Sequence, residues 1–72
     1  MTLVSRAEAL FSSPLQPSDS PNQAQLRAAI AASVRAHRGV RGCAEMLAAE
    51  YGERPEIAAT RMRWALTIAA AL

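Results

Sequence analysis

Hydrophobic residues recur along most of the chain at helical spacing, and no segment alternates polar and apolar residues as a strand would. In residues 2–12, Leu3, Ala7 and Leu10 fall on one face, three or four positions apart, which predicts a short amphipathic helix. An isolated helix of this length is unstable in water. We therefore expect its Leu/Phe face to dock on the rest of the chain or on a partner.

Residues 12–21 break the helical pattern with three prolines and four serines. Proline fixes φ and disfavours helix at the residue before it, so the composition predicts an extended linker. Leu15 is the only large apolar residue in this linker. We expect its side chain to hold the linker against the core.

The next helix has a start signal at the end of the linker. Ser20 is a suitable N-cap, Pro21 suits the first helical position, and Gln23 lies three residues after Ser20, as a capping box requires. The apolar spacing then continues to about His37, where the helix is predicted to end.

Two further helices are predicted over residues 41–51 and 55–70. Gly52 lies between them and is expected to end the first as a left-handed C-cap. Residues 21–72 then form a core of three main helices. With the short N-terminal helix on its Pro/Ser linker, the sequence predicts a small all-α helical bundle that makes up one domain, residues 1–72.

Composition limits what this domain can do. Hydrophobic residues make up 51% of the 72 residues, but 17 of them are alanine, which favours helix and buries little area. A domain of this size buries only about 60% of its unfolded surface. A multidomain enzyme and a deep substrate pocket are therefore excluded, and the single cysteine, Cys43, excludes an internal disulfide.

The expected location is the cytoplasm. A single free cysteine fits a reducing compartment, and residues 1–6 lack the basic region followed by an apolar run that marks a signal peptide. The longest apolar stretch without charge, residues 64–72, is less than half of the roughly 20 residues that a membrane span needs. We expect no membrane partner.

Charge is distributed unevenly along the chain, whose net charge is +2. No acidic residue occurs between Asp19 and Glu45, and this stretch carries a basic face of Arg27, Arg35, Arg38 and Arg41. Residues 45–56 are acidic instead. The basic face could bind phosphate or an acidic partner, or it could be a solvated face whose arginine stems cover apolar surface.

The last two predicted helices, joined by a Gly-containing turn, have the layout of a helix-turn-helix. One segment resembles the recognition helix of sigma-factor region 4 domains: Ala59-Thr60-Arg61-Met62-Arg63-Trp64-Ala65. The resemblance implies a DNA-binding transcriptional regulator that uses residues 43–65, with DNA contacts from Arg54, Ala59, Thr60 and Arg63. Glu53 and Glu56 depart from the pattern, because they put acids where phosphate contacts are expected.

The whole chain also resembles a set of small uncharacterised actinobacterial proteins. The shared features are a Pro/Ser linker like residues 14–17, a Gly-Cys pair like Gly42-Cys43 and a segment like residues 61–65. This resemblance implies an independent small domain, and it implies no activity, cofactor or site.

His37 and Cys43 lie six residues apart across a glycine-rich turn and could act as a base and a nucleophile, or as two metal ligands. Two ligands do not complete a zinc site, and no acid is placed to orient the histidine. Cys43 falls on an apolar stripe with Leu47, so we expect it in the core. We expect His37 to bond a terminal helix carbonyl. The sequence predicts no catalytic residue, no metal and no cofactor.

The apolar end of the last helix is the strongest sign of a partner. Residues 64–72 carry no charged side chain, and exposed apolar patches mark interaction surfaces. We therefore expect a non-enzymatic protein–protein interaction or dimerisation module, with Trp64, Ile68 and Leu72 on its surface. The alternative is that the helix of residues 2–12 folds back and covers them. Trp64 would then belong to the core, and a binding surface would be sought on the basic face.

Overall fold

The chain folds into four α-helices and one 3-10 turn, without strands. The computed structural model describes residues 1–72. The helices are α1 (Leu3–Phe11), α2 (Gln23–Ala36), α3 (Val40–Glu53) and α4 (Pro55–Ala70), and the 3-10 turn covers Pro17–Asp19. The predicted all-α bundle is confirmed, and the predicted bounds of the last helix match those of α4. None of the helices is both long and apolar enough to cross a lipid bilayer.

Helix α1 lies at the centre of the bundle and packs against each of the other three helices. Thr2 is its N-cap, and the Thr2 hydroxyl accepts the backbone N–H of Ser5 at 3.0 Å. Three of its side chains are completely buried: Ala7, Ala9 and Leu10. Because alanine lets neighbouring helices approach closely, this nine-residue helix can contact three others at once. The first helix therefore docks on its own chain.

The core combines small side chains with a few large ones. The buried hydrophobic residues outside α1 are Leu26 and Ile30 in α2, Cys43 in α3, and Ala58, Met62, Ala65 and Ala69 in α4. Leu15 packs against this core from the linker, as predicted. Helix α4 thus turns its alanine-rich face inward, and this rotation leaves Ile57 63% exposed.

The predicted start of α2 is wrong by two residues. Asn22, and not Ser20, is the N-cap, and it forms a reciprocal capping box with Gln25 in which both hydrogen bonds measure 2.8 Å. Ser20 adopts a left-handed conformation with φ of 46°, and its N–H is bonded to the carbonyl of Pro17. Ser20 therefore closes the 3-10 turn, so the linker is not extended throughout its length.

The turn between α2 and α3 has the geometry of a Schellman motif. The N–H of Gly39 donates to the carbonyl of Val34 at 2.7 Å, and the N–H of Arg38 donates to that of Arg35 at 3.3 Å. Arg38 and Gly39 have positive φ of 62° and 112°. A side chain at Gly42 would overlap the carbonyl oxygen of His37, so glycine is required there.

The predicted role of Gly52 is also wrong, because α3 continues through Gly52 to Glu53 and Gly52 has no positive φ. A single residue, Arg54, separates α3 from α4, with φ of −138° and ψ of 70°. Pro55 is the first residue of α4, and proline disfavours the helical conformation in the residue before it. Proline, rather than glycine, therefore sets the break between these helices.

Candidate functional site

The side chain of Arg61 fixes α4 to the end of α1. Its Nε donates to the carbonyl of Phe11 at 2.9 Å. Its Nη2 lies 2.8 Å from the carbonyl oxygens of both Ser13 and Leu15 and 3.3 Å from that of Leu10. A cation at the C-terminal end of a helix also interacts favourably with the helix dipole. Arg61 therefore acts as a C-cap for α1 that comes from a distant helix.

Two aromatic rings enclose the same guanidinium. The Arg61 Cζ lies 5.7 Å from the centre of the Phe11 ring and 5.0 Å from that of Trp64, which is within cation–π distance. Burial lowers the pKa of Arg61 from its ordinary value, because desolvation penalises the charged form. No carboxylate pairs with Arg61, so backbone carbonyls and ring faces compensate its charge.

Ile57 lies one helical turn before Arg61 and forms a ridge between two shallow grooves. One groove, of about 420 Å³, runs beside Trp64 and Pro17, and the other, of about 220 Å³, runs beside Met46 and Phe11. Ile57 also lines a third groove, of about 230 Å³, beside Arg54 and Pro55. Met46 is itself 42% exposed. The term "Ile57 surface" denotes the following residues: Met46, Glu50, Glu56, Ile57, Thr60 and Trp64.

Acidic side chains border the Ile57 surface where α3 meets α4. Glu50 and Glu56 line the grooves, and Glu53 lies at the end of α3. Arg54 is the only cation paired with them, at 2.9 Å from Glu50 and 3.9 Å from Glu53. Arg61 also lines both grooves, so three acids against two arginines leave a net charge of −1 here, which complements a partner with basic groups.

The interaction surface predicted from the sequence is largely packed within the chain. Trp64, Ile68 and Leu72 are half-buried and lie against the hydrophobic core. The large hydrophobic residues that remain exposed are Met1, Leu3, Val4, Met46, Tyr51 and Ile57. The sequence analysis did not identify Ile57 as an exposed residue, because Ile57 lies on the same helical stripe as Arg61 and Trp64. The one sequence feature that could have indicated exposure of this stripe was the arginine within it.

Of the residues proposed to contact DNA, Arg54 immediately precedes α4, and Ala59, Thr60 and Arg63 lie within it. Arg54 is paired with Glu50, and Ala59 is half-buried. Thr60 and Arg63 are exposed and are held together by a hydrogen bond of 3.1 Å. The structure therefore brings two of the four together on an exposed face, next to the acidic border of the Ile57 surface.

The predicted basic face is fully accessible. Arg27 and Arg35 lie on α2, Arg38 lies in the turn, and Arg41 lies in the first turn of α3. All four are exposed, and none takes part in an ion pair. We call these four residues the α2 basic surface.

His37 and Cys43 each contact other groups. The Nε2 of His37 lies 3.2 Å from the carbonyl oxygen of Ser12, at the end of α1. Cys43 is completely buried, as predicted, and its sulfur donates to the carbonyl of Ser33 at 3.7 Å. His37 thus bonds a terminal carbonyl of α1 rather than of its own helix. No three His, Cys, Asp or Glu side chains come together as metal ligands.

The chain has two candidate binding surfaces, the Ile57 surface and the α2 basic surface. No protein-family model, curated protein or solved structure matches this chain.

Proposed function

We propose that this chain is a small non-enzymatic α-helical protein that binds another protein through the Ile57 surface. The observation that carries the proposal is the 63% exposure of Ile57 on a well-packed helix, between two grooves. Complete burial of an isoleucine side chain contributes about 1.5–3 kcal/mol. An apolar partner group in each groove would cover this ridge from both sides.

The rigidity of the surface supports the proposal. Arg61 ties α4 to α1 and the linker one turn away from Ile57, and Arg61 also lines both grooves. A binding surface that is already ordered loses less conformational entropy on association. The Ile57 surface is therefore suited to binding without rearrangement.

The acidic border favours a different protein over a second copy of this chain. In a twofold dimer around Ile57, the same patch meets itself, so Glu50 and Glu56 would face acids of the other copy. Like charges across an interface cost several kcal/mol. We therefore propose a partner that inserts apolar side chains beside Ile57 and carries basic residues around them.

Two other modes of binding have less support. A dimer through the end of α4 would use Trp64, Ile68 and Leu72, which are already half-buried against the core of their own chain. A helix-turn-helix that reads DNA through α4 would bring the exposed Glu53 and Glu56 close to the DNA phosphates together with Arg54, which is already paired with Glu50.

Site-specific photocrosslinking tests the proposal. A benzophenone amino acid replaces Ile57 in the cells that produce the protein, and Ala70 is replaced in the same way as a control. Ala70 is exposed and lies about 20 Å away along the same helix. We expect a discrete adduct with a different polypeptide from position 57 alone. Equal crosslinking from both positions, or no crosslinking from either, would contradict the proposal. An adduct of twice the chain mass would also contradict it and would indicate that the chain binds a second copy of itself.

A further inference from the structure

The exposed side of α2 combines positive charge with small side chains. The residues around Arg27 and Arg35 on this side are Gln23, Ala24, Gln25, Ala28, Ala31, Ala32 and Ala36. No acidic residue occurs in residues 20–44, so Arg27, Arg35 and Arg38 have no acidic neighbour along the chain, and Glu45, one helical turn after Arg41, forms no ion pair with it. The guanidinium groups are therefore free to contact an external anion.

The combination of arginine and small side chains on α2 also restricts the class of macromolecule that this surface can bind. Helices that bind membranes insert large apolar residues, and protein interfaces have cores rich in aromatic residues and methionine. The exposed residues of α2 include neither, and the exposed methionine beside them, Met1, lies only at the Arg27 end, in a groove with Leu72. Contact with a phosphate backbone requires only spaced cations and a protein surface that the DNA can approach closely. The arginines of α2 provide the cations, and its small alanine side chains permit the close approach. Arginine also binds phosphate through two parallel hydrogen bonds.

The backbone at Arg38 is an independent observation. Arg38 occupies the left-handed position of the Schellman motif, with φ of 62°, where glycine is the usual residue. Non-glycine residues held in this conformation are strained, and such residues cluster at functional sites. An arginine at this position carries its charge to the end of the α2 basic surface despite the strain.

We propose that the α2 basic surface binds the phosphate backbone of double-stranded DNA, without reading its sequence. Arg27 and Arg35 lie about 12 Å apart along α2, a distance over which a duplex presents about seven phosphate charges. Arg38 and Arg41 continue the contact past the end of the helix. This binding uses a different surface from the Ile57 surface, so either proposal can fail without the other.

Fluorescence anisotropy of a fluorescein-labelled 20-base-pair duplex tests the proposal. We expect binding at 20 mM NaCl that weakens with salt. The slope of log K against log [NaCl] should be about −3.6, because each phosphate contact contributes about −0.9. The variants are Arg27→Gln/Arg35→Gln and the matched control Arg54→Gln/Arg63→Gln, each of which changes the net charge from +2 to zero.

The first variant should reduce the magnitude of the slope by about 1.8 and the affinity at 20 mM NaCl at least tenfold. The control should stay within twofold of the native chain, and circular dichroism should show both variants folded. Three outcomes would overturn the proposal. The native chain fails to bind at 20 mM NaCl; the control loses as much affinity as the test variant; or polyglutamate or phosphatidylglycerol vesicles compete as well as unlabelled duplex.

Discussion

The Nε of Arg61 donates a hydrogen bond of 2.9 Å to the carbonyl oxygen of Phe11, fifty residues earlier in the chain. This bond joins the middle of α4 to the end of α1, and the Nη2 of Arg61 extends it to the carbonyls of the linker. A single side chain therefore joins α4, which carries Ile57, to α1 and the linker.

Replacement of Arg61 by lysine is expected to destabilise the fold. Lysine keeps the charge but cannot reach the same carbonyls with a planar group, so hydrogen bonds worth about 1.5–3 kcal/mol each are lost or weakened. We expect the free energy of unfolding in urea to fall by about 2 kcal/mol. Arg63→Lys is the control, because Arg63 is exposed and bonds only Thr60, and it should change this value by less than about 0.5 kcal/mol.

The effect of Arg61→Lys should not depend on pH in the ordinary range. Burial lowers the pKa of Arg61, so the fold disfavours its charged form, and this penalty would be relieved only as pH rises through the folded-state pKa. Arginine stays protonated well above neutral pH. We therefore expect the same difference in urea stability between pH 5 and pH 7, where arginine and lysine are both protonated, and a difference that changed across this range would contradict a cationic cap.

Ile57→Glu should remove partner binding without unfolding the chain. Ile57 is 63% exposed, so its replacement should change the thermal midpoint little, whereas a charge on the ridge should prevent apolar contact. The neighbouring Ala58 is 1% exposed and provides the contrast. Ala58→Glu should lower the thermal midpoint by many degrees, because it buries an unpaired charge. Comparable destabilisation by both changes would place Ile57 in the core.

Gly42→Ala and Gly52→Ala should have opposite effects on stability. A side chain at position 42 would overlap the His37 carbonyl oxygen, so we expect a loss of more than about 2 kcal/mol. The space around Gly52 is open and its backbone is helical, so alanine there should stabilise by about 0.5–1 kcal/mol. Chemical denaturation measures both. If Gly52→Ala destabilised the fold, this result would support the left-handed C-cap at Gly52 that the sequence predicted.

Arg38→Gly should stabilise the fold and weaken DNA binding. Glycine removes the strain of the left-handed conformation, a gain of about 1 kcal/mol in the free energy of unfolding, and it also removes one phosphate contact. Arg35→Gly removes a contact of the same kind but places glycine in the last turn of α2, where it should destabilise by up to about 1 kcal/mol. Anisotropy and urea denaturation on the two variants separate binding from stability.

The existence of the helices could be predicted from apolar spacing, and the start of α4 could be predicted because Pro55 is a local signal. The start of α2 could not be chosen by the same means, since Ser20-x-x-Gln23 and Asn22-x-x-Gln25 have identical spacing. Only the 3-10 turn, which uses the N–H of Ser20, decides between them.

The candidate site was less predictable than the fold, because it depends on contacts between distant residues. The cap that Arg61 forms spans fifty residues, and no local pattern indicates it. The rotation of α4 follows from the close packing of alanines, which carry a weak hydrophobic signal. The buried residues of α4 are Ala58, Met62, Ala65 and Ala69, and Ile57 lies outside this face.

The central position of α1 has a consequence for synthesis. Translation makes α1 before α2, α3 and α4, yet all three pack against it, and the carbonyl of its last residue, Phe11, has no partner until Arg61 is made. A nascent chain that ends before α4 therefore lacks four of the eleven buried hydrophobic residues and exposes the part of α1 that packs against α4. The native state is accessible only after translation has passed α4, so folding is expected to occur in one late, cooperative step and not helix by helix.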